Sequence, residues 1–236
     1  MVVYGRRAVQ EALRGRRSVS RVWALGKLAD EPFLEGVDVR RPPSAAELER
    51  LCGSPDHQGV CAQVSDFPYA EARELLGAPD PLLVALDEIQ DPQNLGAICR
   101  SAEAVGATGI VLPERRSADV TPAVCRASAG AVEHVRVARV RNLADFLAEA
   151  RAGGCWVYGA DAGAPVSYDA PDYRGGVVAV LGAEGRGLRP RVAAACDQLV
   201  AIPRRGRVGS LNVGAAAAVL LYEILQHRER PLDRAS

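Results

Sequence analysis

Three short segments carry most of the polar side chains that could do chemistry in this chain. They are Asp91–Arg100 (DPQNLGAICR), Leu181–Gly187 (LGAEGRG) and Ile202–Ala215 (IPRRGRVGSLNVGA). Each is rich in Gly, Pro or Asn, each follows or touches an apolar run, and each leads toward a predicted helix. Ligands of open α/β sheets usually bind where strand ends meet helix starts. The three segments therefore predict one ligand site built from loops.

Arg100 is the candidate for the central catalytic residue. It lies on a predicted helix whose apolar positions form one stripe, and it points away from that stripe, beside Glu103 three residues later. The alternative is a solvated ion pair with Glu103, worth about 0.2–0.5 kcal/mol. The stripe consists of Leu95, Ile98, Cys99, Ala102 and Val105.

The other two segments offer loop glycines and helix-start residues. Gly182 and Gly185 let a backbone approach a ligand or adopt positive φ, although a tight strand-to-helix turn would use them as well. Glu184 is a carboxylate between glycines, either functional or a solvated surface acid. Ser210 or Asn212 can cap the final helix, and helix starts attract anions.

Charge is distributed in patches. The formal net charge of the 236 residues is +0, so an anionic partner must be held by local basic clusters. Residues 1–27 contain seven basic side chains against one acid, Glu11, and further clusters lie at 115–116 and 204–207. Lys27 is the only lysine. Arginine suits RNA because it binds phosphate bidentately and stacks on bases, although genomic composition bias would produce the same enrichment.

Cysteine and histidine usage argues against a metal site. The six cysteines form no C-x-x-C pair, and none of the three histidines lies in a motif. Several cysteines adjoin apolar runs, which predicts buried free thiols and a reducing cytoplasm. The N-terminus does not resemble a signal peptide, and no apolar run reaches membrane-spanning length.

The pattern of elements changes along the chain. Residues 1–66 predict a compact α/β unit, 67–81 a linker with a short helix, and 82–236 a second domain in which strands alternate with helices, as in a parallel sheet. Predicted helices are 4–15, one capped by Ser44, 94–105, 121–129, 143–152 and 212–227. Predicted strands are 19–25, 37–39, 59–64, 82–86, 109–112, 135–137, 155–159, 177–181 and 199–202.

Taken together, the three segments resemble the motifs of the SpoU family of RNA ribose 2′-O-methyltransferases: its Asn/Arg motif, its Gly-Glu-Gly loop and its Ser-Leu-Asn loop. The front of the chain, through YGRRAVQEAL (4–13) and HQGV (57–60), is similar to the small RNA-binding domain of members that modify 23S rRNA. The resemblance implies an α/β fold with helices on both faces of a parallel sheet and a C-terminal trefoil knot of the SPOUT type. A small α/β domain like those of ribosomal proteins would precede it.

The resemblance also implies roles for individual residues. S-adenosylmethionine would be the methyl donor, with no metal. Arg100 would align the ribose and stabilise the developing alkoxide, because an arginine is effectively always protonated, and Asn94 would hold the ribose or Arg100. Glu184 would contact RNA or orient Arg100, while Ser210 and Asn212 would reach toward either. The residues implied for cofactor binding are Leu181, Gly182, Gly185, Ile202, Pro203 and Leu211, with Leu211 on the adenine face.

RNA contacts and partners follow from the same resemblance. The candidate RNA-binding residues are Arg6, Arg7, His57, Arg115 and Arg205, although Arg6 and Arg7 would also serve helix solubility and His57 would also suit bracing a turn. The last helix would form a homodimer. The substrate is expected to be the ribose 2′-hydroxyl of a guanosine in 23S rRNA. The alternatives are a tRNA, a resistance-conferring rRNA site, or a non-catalytic RNA-binding ribosome-assembly protein.

Overall fold

The computed structural model describes residues 1–207 and 209–230, and the chain divides into two compact units by its internal contacts. The first unit comprises Met1–Pro68, Asp91–Arg100 and Ala118–Val135, and the second comprises Tyr69–Gln90, Ser101–Ser117 and the described residues from Arg136 onward. The domain boundaries expected at residues 66 and 82 rest on the sequence pattern and stay a prediction.

The first unit contains a four-stranded sheet in the order β1-β4-β2-β3. Strand β4 pairs antiparallel with β1 and β2, and β2 pairs parallel with β3. The helix α1 buries Ala8, Val9 and Ala12, and the side chain of Ser44 caps α2 by accepting from the Glu47 N–H at 3.2 Å, as predicted. The elements are β1 (Val2–Tyr4), α1 (Arg6–Arg14), β2 (Val19–Ala24), β3 (Val39–Arg40), α2 (Ala45–Cys52), β4 (Val60–Val64) and α5 (Pro122–Ala127).

A buried ion pair holds distant parts of the first unit together. The side chains of Arg17 and Glu133 are each 1% exposed, and Arg17 Nε donates to Glu133 Oε2 at 2.9 Å while Nη2 donates to Oε1. The guanidinium carbon also lies 5.6 Å from the centroid of the Phe67 ring. Burial opposes the charge on Arg17, but its bonds to Glu133 prevail, so the pKa of Arg17 is raised.

The second unit contains a seven-stranded, entirely parallel sheet in the order β7-β6-β5-β10-β8-β11-β9. Every residue of β5 is buried, as expected for a strand covered on both faces. The predicted α/β class with a parallel sheet is therefore confirmed. The strands are β5 (Leu82–Asp87), β6 (Gly109–Pro113), β7 (Val137–Val140), β8 (Trp156–Ala160), β9 (Val166–Ser167), β10 (Val177–Gly182) and β11 (Gln198–Ala201).

Helices complete this unit, and one helix is shared. The helix α4 (Pro92–Ala104) starts among residues of the first unit and ends among those of the second. All five residues of its predicted apolar stripe are buried. The remaining helices are α3 (Ala72–Leu76), α6 (Leu143–Ala152), α7 (Pro190–Ala194) and α8 (Val213–Glu229).

Several predicted elements have the wrong boundaries, and some elements of the structure were not predicted. The helix predicted from residue 4 starts at Arg6, because Val2–Tyr4 pairs with β4 instead. The strands predicted at 37–39 and 135–137 lie at Val39–Arg40 and Val137–Val140. Strand β9 and helix α7 were not predicted, since two to five residues are too short for a periodic signal. The knot and the ribosomal-protein likeness stay predictions.

The cysteines are free thiols. Cys61, Cys99 and Cys155 are buried, as the sequence predicted, whereas Cys196 is only partly so. Burial raises the pKa of Cys61 and of Cys196 to about 12, so these thiols stay protonated at neutral pH and are poor nucleophiles. Among the helices that the structure describes, none combines the length and the hydropathy needed to cross a bilayer.

The buried pair yields a stability prediction. Replacing Arg17 with Ala leaves the Glu133 carboxylate buried without a partner, and we expect this to lower the free energy of unfolding by about 3–5 kcal/mol. The control is Arg14→Ala, which removes an exposed pair with Glu11 at 3.3 Å and should cost no more than about 1 kcal/mol. Urea unfolding of both variants measures the difference, and equal midpoints would contradict a structural role for the buried pair.

Candidate active site

A pocket of about 520 Å³ lies within the second unit, at the carboxyl ends of β8, β10 and β11. Its lining comes from the segments 160–162, 181–187, 200–204 and 209–213. Because these strands are parallel, the loops that follow them meet at one edge of the sheet, which is where α/β folds bind ligands. Two of the three segments singled out by the sequence therefore share one cavity.

The loop after β10 folds back tightly on itself. The Gly187 N–H donates to the Ala183 carbonyl at 2.9 Å, and a Cβ placed on Gly182 would lie 2.3 Å from the Gly187 carbonyl carbon. Only glycine permits that approach. Gly185, at φ +75°, reaches the left-handed region at the tip of the turn. The glycines thus shape a turn, and the same turn forms one wall of the pocket.

Glu184 and Asn212 join the second and third segments. Asn212 Nδ2 donates to Glu184 Oε1 at 2.5 Å, and the Val213 N–H approaches the same oxygen at 3.4 Å. The Asn212 Oδ1 accepts from the N–H groups of Gly214 and Ala215 at 2.9 and 3.3 Å. Asn212 is therefore the cap of α8, and the Glu184 carboxylate lies at the positive end of that helix dipole, where a negative charge is stabilised.

The other predicted cofactor residues divide between the pocket and its surroundings. Leu181 is 1% exposed and lines the pocket together with Ile202, Ser210 and Leu211. The side chain of Leu211 is among the exposed large hydrophobic groups, at 43%, so it presents apolar surface to the cavity. Pro203 is exposed and does not line the cavity.

The sequence reading missed the part of the lining that follows β8. Asp161 and Ala162 border the pocket, as does Arg204 from the third segment. Asp161 Oδ1 accepts from the Gly163 N–H at 2.7 Å, and Arg204 Nη2 donates to the Ala162 carbonyl at 3.0 Å. The available signal was the sequence Asp-Ala-Gly (161–163), a usual loop composition, one residue after the strand predicted at 155–159.

Asn94 and Arg100 lie on α4, in residues assigned to the first unit. Asn94 is buried, with 9% of its surface exposed, and it interacts with at least one other group. Arg100 is exposed, on the face opposite the buried stripe, as the helical spacing predicted.

The predicted RNA-binding residues are mostly exposed. Arg6 and Arg7 lie at the start of α1, where Arg6 pairs with Glu31 at 2.9 Å. Arg115 and Arg205 are also exposed. His57 is different: it is 8% exposed, and its Nδ1 accepts from the Gly59 N–H at 2.9 Å. The structure thus gives His57 the turn-bracing position that the sequence left open. Among residues 1–207 and 209–230, no cluster of three or more His, Cys, Asp or Glu could hold a metal ion.

Comparison with protein families gives two matches. Residues 81–222 match the SpoU rRNA methylase family, and residues 2–70 match an RNA 2′-O ribose methyltransferase substrate-binding domain. The chain is also 38% identical to the YacO protein of Bacillus subtilis (strain 168), which is assigned to the TrmH family of tRNA/rRNA methyltransferases. That alignment covers 96% of this chain and 95% of the relative.

Two solved structures differ in how much of the chain they cover. The SpoU methyltransferase AviRb of Streptomyces viridochromogenes, solved with AdoMet bound, superposes with a TM-score of 0.80 at 27% identity. It covers 96% of this chain and 89% of its own. The TrmH/SpoU tRNA modifying enzyme of A. aeolicus has a TM-score of 0.57 at 28% identity and covers 67% of this chain and 81% of its own.

The tight loop gives a prediction with an internal control. Gly182→Ala forces a methyl group against the Gly187 backbone, and we expect a loss of about 1–3 kcal/mol in the free energy of unfolding. Gly206→Ala, where a Cβ meets nothing within 4 Å, should cause no loss. Urea unfolding compares the two, and a neutral Gly182 variant would show that the loop does not need this close approach.

Proposed function

Because the chain belongs to the SpoU rRNA methylase family, we propose that it methylates the ribose 2′-hydroxyl of a guanosine in 23S rRNA. It is an RNA 2′-O ribose methyltransferase that uses S-adenosylmethionine as methyl donor. The observation that carries the proposal is the bond between Glu184 and Asn212, which brings the Gly-Glu-Gly and Ser-Leu-Asn loops together at one pocket.

The pocket suits the cofactor in size and lining. A volume of about 520 Å³ falls within the roughly 300–1,000 Å³ of small-ligand sites, which are mostly apolar with a few polar groups. Leu181, Ile202 and Leu211 supply the apolar surface for an adenine, and Leu211 packs on its face. We assign the rest of the nucleoside to hydrogen bonds with the backbone of the loop that contains Gly182 and Gly185, both of which line the pocket. The backbone of Pro203 extends the adenine-binding segment beyond the lining residues.

The chain's own residues handle the substrate and its proton. When bound, S-adenosylmethionine supplies an electrophilic methyl group. The Arg100 guanidinium, exposed and permanently charged, aligns the ribose and stabilises the negative charge that grows on its 2′-oxygen. The proton passes to a neighbouring phosphate oxygen or to water. Asn94 positions Arg100, and Ser210 contacts the substrate. The hydrogen bond between Glu184 and Asn212 holds the Gly-Glu-Gly loop against the Ser-Leu-Asn loop.

The N-terminal residues support a ribosomal RNA as the substrate. They match a substrate-binding domain over residues 2–70, whereas the A. aeolicus tRNA modifying enzyme covers only 67% of this chain. A substrate that is larger than tRNA gives such a domain something to bind. Incubation with methyl-labelled donor and, in separate reactions, total ribosomal RNA and total tRNA, followed by mapping of the ribose methyl group, tests this directly. A methyl group found only on tRNA would contradict it.

The wider organisation is part of the same proposal. Residues 1–66 bind RNA, 67–81 form a linker, and 82–236 form the knotted methyltransferase domain. Helix α8 contributes to a homodimer through residues that it leaves exposed, including Val219 at 37% and Tyr222 at 47%. The protein works in the cytoplasm, where reducing conditions keep its six cysteines as free thiols.

The catalytic assignment predicts the behaviour of an Arg100 variant. Arg100→Ala should lower methyl transfer to 23S rRNA at least about 100-fold, because it removes the charge that stabilises the alkoxide. Binding of S-adenosylmethionine, measured by calorimetry, should stay within about twofold. Glu103→Gln, on the same helix and also exposed, is the control and should retain turnover. Normal turnover in the Arg100 variant would exclude it from catalysis.

The N-terminal arginines predict a change in salt dependence. Arg6→Gln with Arg7→Gln should weaken RNA binding and reduce the slope of log Kd against log salt, by about 0.7 for each single-strand phosphate that is no longer neutralised. Arg40→Gln, an exposed arginine on β3 of the same unit, is the control. A slope equal to that of the unchanged protein would remove Arg6 and Arg7 from the interface.

A further inference from the structure

A second cavity of about 650 Å³ lies in the second unit, and its lining contains five arginines and one carboxylate, that of Glu88. We call it the arginine groove; the arginines are Arg115, Arg116, Arg141, Arg189 and Arg191. We propose that the arginine groove binds the phosphodiester backbone of the substrate RNA strand. This inference rests on the proposed function and adds to it a path for the RNA on the methyltransferase part of the chain.

The groove is built by the same edge of the sheet as the cofactor pocket. Glu88 follows β5, Arg115 and Arg116 follow β6, and Arg141 follows β7. Three strand spacings of about 4.8 Å separate β10, which ends in the pocket, from β7, or roughly 15 Å. Arg189 and Arg191 come shortly after the Gly182–Gly187 loop. An RNA strand with one ribose at the pocket therefore has its neighbouring phosphates within reach of the groove.

The charges in the groove are only partly compensated. Arg189 is held by the buried Asp87, with Nη2 at 2.6 Å from Oδ1, and by Glu88 at 3.4 Å. Arg116 pairs with the same Glu88 at 3.5 Å. In the part of the chain that the structure describes, the side chains of Arg115, Arg141 and Arg191 are exposed and make no hydrogen bond or ion pair. Three uncompensated like charges repel one another, and a polyanion would relieve that repulsion.

The remaining lining favours RNA over a protein partner. No lining residue is aromatic, and the apolar ones are Pro113, Leu143, Ala144, Pro190 and Val192. Protein interfaces usually need large buried anchors such as Trp or Tyr. The start of α6, capped by Asn142 through an oxygen that accepts from the Ala144 N–H at 3.1 Å, adds its positive dipole end to the groove. Asp145 in the first turn of α6 lines a neighbouring cavity instead.

The test replaces two arginines that take no part in the proposed catalysis. Arg141→Gln with Arg191→Gln should raise the Kd for a 23S rRNA transcript roughly tenfold at about 0.15 M salt and lower the salt slope by about 1.4, that is, about 0.7 for each phosphate left without its arginine. The KM for RNA should rise while kcat and the affinity for S-adenosylmethionine stay within about twofold. The matched control is Arg73→Gln with Arg151→Gln, two exposed arginines whose ion pairs with Glu149 and Asp197 lie outside the groove.

The outcomes separate this inference from the proposed function. If the unchanged protein methylates 23S rRNA and the groove variant binds it with an unaltered Kd and salt slope, the groove is not an RNA site. An equal loss of affinity in the groove variant and the control would show a general charge effect and would also overturn the inference. If the unchanged protein transfers no methyl group to 23S rRNA but the groove variant alone lowers the salt slope, the proposed substrate fails and the groove stands. Thermal unfolding of both variants verifies that they are folded.

Discussion

The parallel direction of the seven strands in the second unit is the constraint on which its candidate site depends. Parallel strands end at the same edge of a sheet, so every loop that follows a strand lies along that edge. The pocket uses the loops after β8, β10 and β11, and the arginine groove combines the loops after β5, β6 and β7 with residues 189–192, which follow the loop after β10. One geometric rule thus places an apolar pocket and a basic groove along the same edge of the sheet, which is what the proposed binding of a nucleoside cofactor and an RNA strand requires.

At that edge of the sheet, a close backbone approach and a few hydrogen bonds determine the shape of the pocket. The absence of a side chain on Gly182 lets the loop return to within 2.3 Å of where a Cβ would lie. The amide of Asn212 then links Glu184 to the start of α8. The loop and the helix are consequently coupled: a shift in one must break a hydrogen bond at the other. The Glu184 carboxylate, for which the sequence left a functional role and a solvated surface acid open, is part of this connection.

Arginines serve opposite purposes in the two units. Arg17 is buried and fully engaged by Glu133, so its charge holds structure together and is inaccessible to a ligand. Arg141 and Arg191 are exposed, and their charge remains available to an anion. The formal net charge of the chain is +0. Its affinity for RNA must therefore come from the positions of its exposed arginines. Burial and pairing, which composition does not reveal, separate the two groups.

The sequence by itself determined the local features of this protein. The apolar pattern located α6 and the stripe of α4, and a continuous apolar run located the buried β5, because these depend on residues a few positions apart. Two of the three motifs identified segments that line the pocket, and the resemblance that all three carry supplied the family, the chemistry and the donor. The sequence did not determine the shortest elements or the contacts between residues far apart in the chain. Strand β9, the bond between Glu184 and Asn212, the pocket wall at Asp161 and the grouping of five arginines join residues far apart in the chain. Their positions are set by strand order and burial, which only the tertiary structure decides.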